Sequence, residues 1–155
     1  MTDKSRDTRP HPRVWTVEEA NALVPRLTRL VGQQLLKASE IESRLKRLHG
    51  MGSSGLSAEE LEAAPGDVEE VRQLKGELRE RISLYEEGWR EVQALGPVVK
   101  DPRVGLLDFY GRVDGKLVWL CWRYGEEAIE HYHDLDVGYS GRKPLTEDTR
   151  KRMLN

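Results

Sequence analysis

The fold is decided by residues 105–145, which read GLLDFYGRVDGKLVWLCWRYGEEAIEHYHDLDVGYSGRKPL. This stretch holds the only phenylalanine, the only cysteine and two of the four tryptophans of the chain. Asp114-Gly115 separates two segments of alternating side chains, a pattern typical of a β-hairpin with a two-residue turn. The stretch therefore predicts β-structure in a chain that otherwise reads as helical.

The two-residue turn also fixes a register, in which Val113 lies opposite Lys116 and Asp108 lies opposite Cys121. Because side chains alternate between the faces of a strand, the hairpin has two distinct faces. The first is apolar and is predicted to pack on the helices; it carries Leu107, Phe109, Gly111, Val113, Lys116, Val118, Leu120 and Trp122. The second is mixed, and we expect it to be partly covered; it carries Leu106, Asp108, Tyr110, Arg112, Leu117, Trp119, Cys121 and Arg123.

Two further segments flank this hairpin. Residues 98–101, VVKD, predict a short edge strand before Pro102. Residues 128–135 fit either a third strand or a short helix. As a strand, they place His131 and His133 on one face.

The N-terminal part of the chain predicts two long helices. Thr16-Val17-Glu18-Glu19 has the pattern of a capping box, and apolar residues then recur every three or four positions from Ala20 to Leu48. Pro25 interrupts this pattern and predicts a kink or a break. A second helix is predicted from Asp67, as its N-cap, until Gly96-Pro97 ends it.

The predicted fold class is α+β. A disordered tail (1–13) precedes a long, kinked antiparallel helical hairpin (14–96, with a loop at 50–66). A small antiparallel β-sheet of three or four strands (97–145) packs on the helices, and a charged tail or helix (146–155) follows. Helices of about 30 residues, or about 45 Å, cannot fully cover each other's apolar stripes. The cover comes from the β-unit, from a second chain or from both, and we predict a homodimer that closes a four-helix bundle.

Composition narrows the class of protein. A net charge of -2 gives no electrostatic case for nucleic acid. No apolar run approaches the length of a membrane span, and the N-terminus lacks a signal-peptide core. A single cysteine excludes an intramolecular disulfide and fits a reducing compartment. We therefore expect a soluble, cytoplasmic protein.

Three blocks of the sequence resemble a known family: VWTVEEANALVPRL (14–27), GPVVKDPRVGLLDF (96–109) and GKLVWLCWRYGEEAIEHYHDLDVGYSGRKPL (115–145). They are similar to the bacterial family called domain of unknown function 2203, over about residues 13–145. The resemblance implies no established activity. The family's C-terminal pattern falls here on Asp108, Phe109, Leu120, Cys121, Trp122, Gly125, Glu126, His133, Gly138, Gly141, Arg142 and Pro144.

Two positions depart from the family's pattern. Tyr132 and Tyr139 stand where the pattern has Trp and Phe, so an aromatic ring is kept at both. His131 is not part of the pattern, which argues against a site that needs both histidines.

The sharpest chemical hypothesis is a divalent metal site. Cys121, Glu126 and His133, together with Asp108, are ligand types that suit zinc, iron or manganese. No recognised ligand spacing is present, however. In the alternative interpretation, Cys121 is a small buried hydrophobe while Glu126 and His133 hold a turn. Catalysis by Cys121 as a nucleophile is disfavoured because a mid-strand position does not lower the pKa of a thiol.

A small anion is the other candidate ligand. Arg123 and Arg142, near Gly138 and Gly141, offer guanidinium groups and exposed amides for phosphate or carboxylate. In the alternative, these arginines form ion pairs with Asp108, Glu126 or Asp136.

Two function classes therefore stay open. One is a non-enzymatic binding or scaffold module that dimerises through its helices, with Asp108, Arg123 and Arg142 as candidate binding residues. The other is a small metal-binding protein with hydrolytic or redox chemistry.

Overall fold

The computed structural model describes residues 12–53 and 57–154. The tail predicted to be disordered therefore lies, except for its last two residues, outside the described residues. The chain is α+β, as predicted, but its antiparallel sheet has five strands instead of three or four. In chain order, the elements are α1 (Val17–Gly50), α2 (Glu69–Ala94), β1 (Val98–Asp101), β2 (Leu106–Val113), β3 (Lys116–Arg123), β4 (His131–Asp134), β5 (Lys143–Pro144) and α3 (Glu147–Arg152).

Helix α1 begins at the predicted capping box. The amide of Glu19 donates to Thr16 Oγ1 at 3.1 Å, and the amide of Thr16 donates to Glu19 Oε1 at 2.9 Å. The helix is continuous through Pro25, so the alternative of a break is excluded. Val24 and Leu27 on either side of the proline are buried in the same core. Packing of one apolar face thus maintains the helix where a backbone hydrogen bond is lost.

The start of α2 differs from the prediction. The helix begins at Glu69, its N-cap is Val68, and no side chain caps it, so the assignment of Asp67 as N-cap was wrong. The Asp67 carboxylate instead accepts from the amide of Ala64 at 2.8 Å and from Lys75 Nζ at 2.9 Å. Lys75 is 4% exposed, and a buried ammonium group needs an anionic partner. The ion pair with Lys75 therefore determines where the Asp67 side chain lies, and Asp67 does not cap α2.

The antiparallel helices are covered by two different parts of the same chain. The apolar face of the sheet packs on the first half of α1 and the end of α2, as predicted. At the other end of the hairpin, Leu61 from the connection packs against Leu48 and Leu78. Within the described ranges, no helix is long and apolar enough to cross a membrane.

The sheet runs in the order β1-β2-β3-β4-β5, and every neighbouring pair is antiparallel. The predicted register is confirmed, with Val113 opposite Lys116 and Asp108 opposite Cys121. Asp114 (φ 51°) and Gly115 (φ 77°) both adopt the left-handed conformation that a two-residue hairpin turn of this kind requires. Residues 131–134 form a strand, which decides between strand and helix for the segment 128–135.

Two hydrogen bonds tie α1 to the sheet. The amide of Trp15, just before α1, donates to the carbonyl of Tyr110 at 2.7 Å. The amide of Ile129, just before β4, donates to Asn21 Oδ1 at 2.7 Å. These contacts hold the apolar face of the sheet against the helices, so the mixed face of the hairpin is directed away from them.

Candidate metal centre

Three polar side chains meet on the mixed face of the sheet, one from each of three adjacent strands. They are Asp108 on β2, Cys121 on β3 and His133 on β4. Each offers one ligand atom, and the three atoms all lie within 4.8 Å of one another. The residues are only 1%, 0% and 4% exposed. The β-sheet register thus converts three separate sequence positions into one buried polar cluster.

The imidazole of His133 is fixed by hydrogen bonds at both nitrogens. Its Nδ1 lies 3.0 Å from the carbonyl oxygen of Asp134, and its Nε2 lies 3.0 Å from Asp108 Oδ2. A carbonyl oxygen only accepts hydrogen bonds, so Nδ1 carries a proton. Nε2 and Oδ2 then hold one further proton between them. When that proton leaves, the lone pairs of both atoms become available to a cation.

The second carboxylate oxygen of Asp108, Oδ1, is buried and has no hydrogen-bond partner among the described residues. Burial raises the pKa of Asp108 above its usual value, although the charges of His133 and Lys100 oppose this effect. An unpaired buried acceptor is costly, and native proteins contain few of them. A bound cation is a partner that such an oxygen accepts without a donor hydrogen.

Cys121 is a free, fully buried cysteine. Burial, with a contribution from the Asp108 carboxylate, raises the pKa of its thiol to about 12. The side chain is therefore a thiol at neutral pH, which disfavours it as a nucleophile. The Arg142 guanidinium opposes this rise in pKa but does not cancel it, so conversion to a thiolate requires further positive charge beside the sulfur, which a metal ion supplies.

Arg142 and Glu126 form an ion pair at the edge of the cluster. Glu126 Oε1 accepts from Arg142 Nη1 at 3.1 Å and from the amide of Arg123 at 2.7 Å. Arg142 Nη1 also lies 3.9 Å from Cys121 Sγ. The structure thus contains the ion pair that the sequence offered as the alternative to an anion site. Glu126 is not in the group of three ligand atoms.

Arg123 lies farther from the cluster than its position in the hairpin suggested. Its side chain is exposed, and its guanidinium carbon lies 5.6 Å from the centre of the Tyr139 ring. Arg142 is closer to the same ring, at 4.3 Å. Of the two candidate arginines, only Arg142 is brought to the cluster by its side chain.

The family pattern argued against His131 as a residue of the site, but in the structure this histidine lies beside the cluster. It is directly opposite Cys121 in the β3–β4 pair, and its Nδ1 is 3.9 Å from Glu126 Oε2. The signal that identifies it is alternation: residues 131 and 133 of one strand share a face. The family pattern includes only His133, so His131 was not expected to take part in the site.

The mixed face is partly covered by neighbouring side chains, as expected, while Arg112 and Arg123 are exposed. The rings of Tyr110 and Trp119 are 4.0 Å apart, and Lys100 Nζ from β1 lies 3.8 Å from the centre of the Trp119 ring. Trp119 is consequently only 6% exposed. This aromatic cover flanks the cluster and limits access of water to it.

Residues 13–145 match the model of a family described as uncharacterized conserved protein (DUF2203). The chain belongs to this family. The resemblance of the three sequence blocks is thereby confirmed, and the matched range of this DUF2203 protein includes Asp108, Cys121 and His133. No curated protein and no solved structure matches the chain.

Proposed function

We propose that this protein binds one divalent transition-metal ion through Asp108, Cys121 and His133, with zinc as the preferred ion. One observation carries the proposal: the three ligand atoms lie within 4.8 Å of one another in a buried position. A carboxyl group, a thiol and an imidazole rarely converge in the interior of a protein unless each has a partner.

The ligand types favour zinc over other divalent ions. Zinc accepts thiolate, imidazole and carboxylate together, in a compact tetrahedral arrangement. Manganese prefers oxygen ligands, so the thiolate of Cys121 disfavours it, whereas iron tolerates sulfur and nitrogen. Iron or manganese in place of zinc would keep the site but change the metal.

The charge and the surroundings of the cluster support the same assignment. An ionised Asp108 and an ionised Cys121 carry two negative charges, which balance the two positive charges of the ion. The contact between His133 Nδ1 and the carbonyl of Asp134 is the type of outer hydrogen bond that orients histidine ligands in metal sites. It leaves Nε2 directed at the cluster, where the metal would bind.

Elemental analysis of the purified protein tests this proposal against a metal-free scaffold. We expect about one equivalent of zinc per chain, lost in the Cys121→Ala and His133→Ala variants. His49→Ala is the matched control, because His49 is an exposed residue at the end of α1. A wild-type protein that folds without metal and takes up none from zinc-containing buffer would contradict the proposal.

We also propose that the protein forms a homodimer through its helices and that it is located in the cytoplasm. A homodimer through the helices is supported by Leu36 on α1 and Leu84 on α2, two apolar side chains that are 62% and 48% exposed. A stable monomer at micromolar concentration in light scattering would contradict that dimer.

A cytoplasmic location is supported by Cys121, since a reducing compartment keeps its thiol available to a metal.

A further inference from the structure

One ring nitrogen beside the metal centre has no partner of its own. Nδ1 of His131 is buried and has no hydrogen-bond partner among the residues that the structure describes. The nearest anionic atom, Glu126 Oε2, lies 3.9 Å away, which is beyond hydrogen-bonding distance. The Glu126 side chain is instead engaged through Oε1 with Arg142 and the Arg123 amide. A buried, unpaired nitrogen of this kind calls for an explanation.

The ring nitrogens of His131 lie outside the group of three ligand atoms in this structure, but its position on β4 is next to the cluster. It is directly opposite Cys121 in an antiparallel pair, and such residues have Cβ atoms about 4.5–5.5 Å apart. It also shares a face with His133, two residues further along β4. A rotation of the His131 side chain therefore brings a ring nitrogen toward Cys121 Sγ without any change in the backbone.

We propose that His131 is the fourth ligand of the metal, so that the site is a closed, structural centre. This inference rests on the proposed function. With His131, the ligand set becomes one carboxylate, one thiolate and two imidazoles. Four protein ligands fill the tetrahedral shell of zinc and leave no position for a water molecule or a substrate. The metal then stabilises the fold and does not carry out hydrolysis.

The surroundings of the cluster agree with a closed site. The three ligands of the proposed function are at most 4% exposed, and the guanidinium group of Arg142 lies against Cys121 Sγ. The side chain of His131 is 30% exposed, so as fourth ligand it would close the site on the side that faces solvent. A catalytic zinc site needs an open coordination position and a path for the substrate. The metal would instead join β2, β3 and β4. Strand β4 gains most, because it is four residues long and its outer neighbour β5 has only two.

Cobalt(II) substitution tests this inference, because the visible spectrum of cobalt reports its coordination number. For the wild-type protein, we expect a sulfur-to-cobalt charge-transfer band, strong visible bands of a four-coordinate ion and no change on addition of azide. For His131→Ala, the charge-transfer band should remain while the visible bands become sensitive to azide. Added imidazole should restore the wild-type spectrum. The affinity for zinc should fall by at least the ~10–100-fold that the loss of an outer-shell partner causes.

The outcomes separate the inference from the proposed function. If the wild-type protein binds neither cobalt nor zinc, the proposed function fails. If it binds cobalt and azide alters its spectrum, the site has an open position and the inference is overturned, whatever the stability of the variant. The inference is also overturned if His131→Ala matches the wild type in spectrum, azide response and zinc affinity. Glu126→Gln is the matched control, because it removes the charge nearest His131 but no proposed ligand.

Discussion

Nε2 of His133 lies 3.0 Å from Oδ2 of Asp108, and both residues are almost completely buried. Because His133 Nδ1 already donates to a backbone carbonyl, this pair holds a proton in the metal-free protein. The same two atoms are proposed metal ligands. The proton and the metal ion therefore compete for one place, and this competition makes both the stability of the metal-free protein and its affinity for zinc depend on pH.

The Asp108→Asn variant should separate stability from metal binding. An asparagine amide can donate to His133 Nε2, as a protonated Asp108 does, but it is a poor metal ligand. We expect the metal-free variant to be at least as stable as the metal-free wild type at neutral pH, and to lose zinc binding. Urea denaturation in the presence of chelator measures the first property, and a zinc titration measures the second.

The difference in stability between the metal-free Asp108→Asn variant and the metal-free wild type should depend on pH. Burial raises the folded-state pKa of Asp108 above its ordinary value of 3.8. The stability that this carboxyl contributes is therefore fully present below pH 3.8 and is lost as the pH rises through the folded-state pKa. The stability advantage of Asp108→Asn over the wild type should grow as the pH rises from the unfolded-state pKa to the folded-state pKa. Its total growth should be about 1.4 kcal/mol for each unit that separates these two pKa values. A wild type that gains stability relative to the variant as the pH rises would contradict this prediction.

Metal binding should release protons. The Cys121 thiol, with its pKa raised to about 12, must give up one proton, and the Asp108–His133 pair must give up another. We expect about two protons per zinc ion near neutral pH, and an affinity that increases steeply with pH. Isothermal titration calorimetry in buffers of different ionisation enthalpy counts these protons. Zinc binding with no release would show that the three side chains are not the ligands.

Cys121 should resist alkylation in the native, metal-free protein. Its thiol is 0% exposed and stays protonated at neutral pH, whereas alkylating reagents attack the thiolate. We expect iodoacetamide to label the unfolded chain fully and the folded chain only at the rate of unfolding, as followed by mass spectrometry. Rapid, stoichiometric labelling of the folded protein would mean that the site is open.

The ion pair at the far end of the helical hairpin gives a prediction about stability. Lys75 and Asp67 are 5% and 16% exposed at their side chains, and Nζ lies 2.9 Å from Oδ2. Asp67→Ala leaves the Lys75 charge without this partner, so we expect the variant to be clearly less stable than the wild type. Lys75→Met should be much milder, because methionine fills a similar volume without a charge.

A double mutant completes the test of this pair. If the buried charge is the cause, Asp67→Ala should cost little in a Lys75→Met background, as measured by urea denaturation. Equal losses in the two backgrounds would show that Asp67 acts mainly through its hydrogen bond to the Ala64 amide.

The parts of the fold that follow from local rules could be read from the sequence. Asp114-Gly115 can form a tight turn with both residues at positive φ, and that turn fixes which residues of β2 and β3 lie opposite each other. The capping box at Thr16 fixes the start of α1. In both places, the physical cause lies within a few residues of its effect.

Other features depend on contacts between distant segments, and the sequence did not reveal them. Asp67 looks like a helix cap until the burial of Lys75 is known. The pairing of Asp108 with His133 requires β2 and β4 to lie on either side of β3, and the chain reaches β4 from β3 through an irregular connection of seven residues, 124–130. Strand β5 has two residues and no periodicity to detect. The ligand types of the site and the shared face of His131 and His133 were therefore predictable, but the absence of Glu126 from the cluster was not.

An anomalous-difference map from crystals grown with one equivalent of zinc would show whether Asp108, Cys121 and His133 bind the metal. Data collected on either side of the zinc absorption edge locate the metal without reference to any assumed ligand. We predict one strong peak between β2, β3 and β4, about 2.3 Å from Cys121 Sγ and about 2.0–2.2 Å from His133 Nε2 and an Asp108 carboxylate oxygen. Well-ordered crystals with no peak at that position, or with zinc bound only elsewhere, would contradict it.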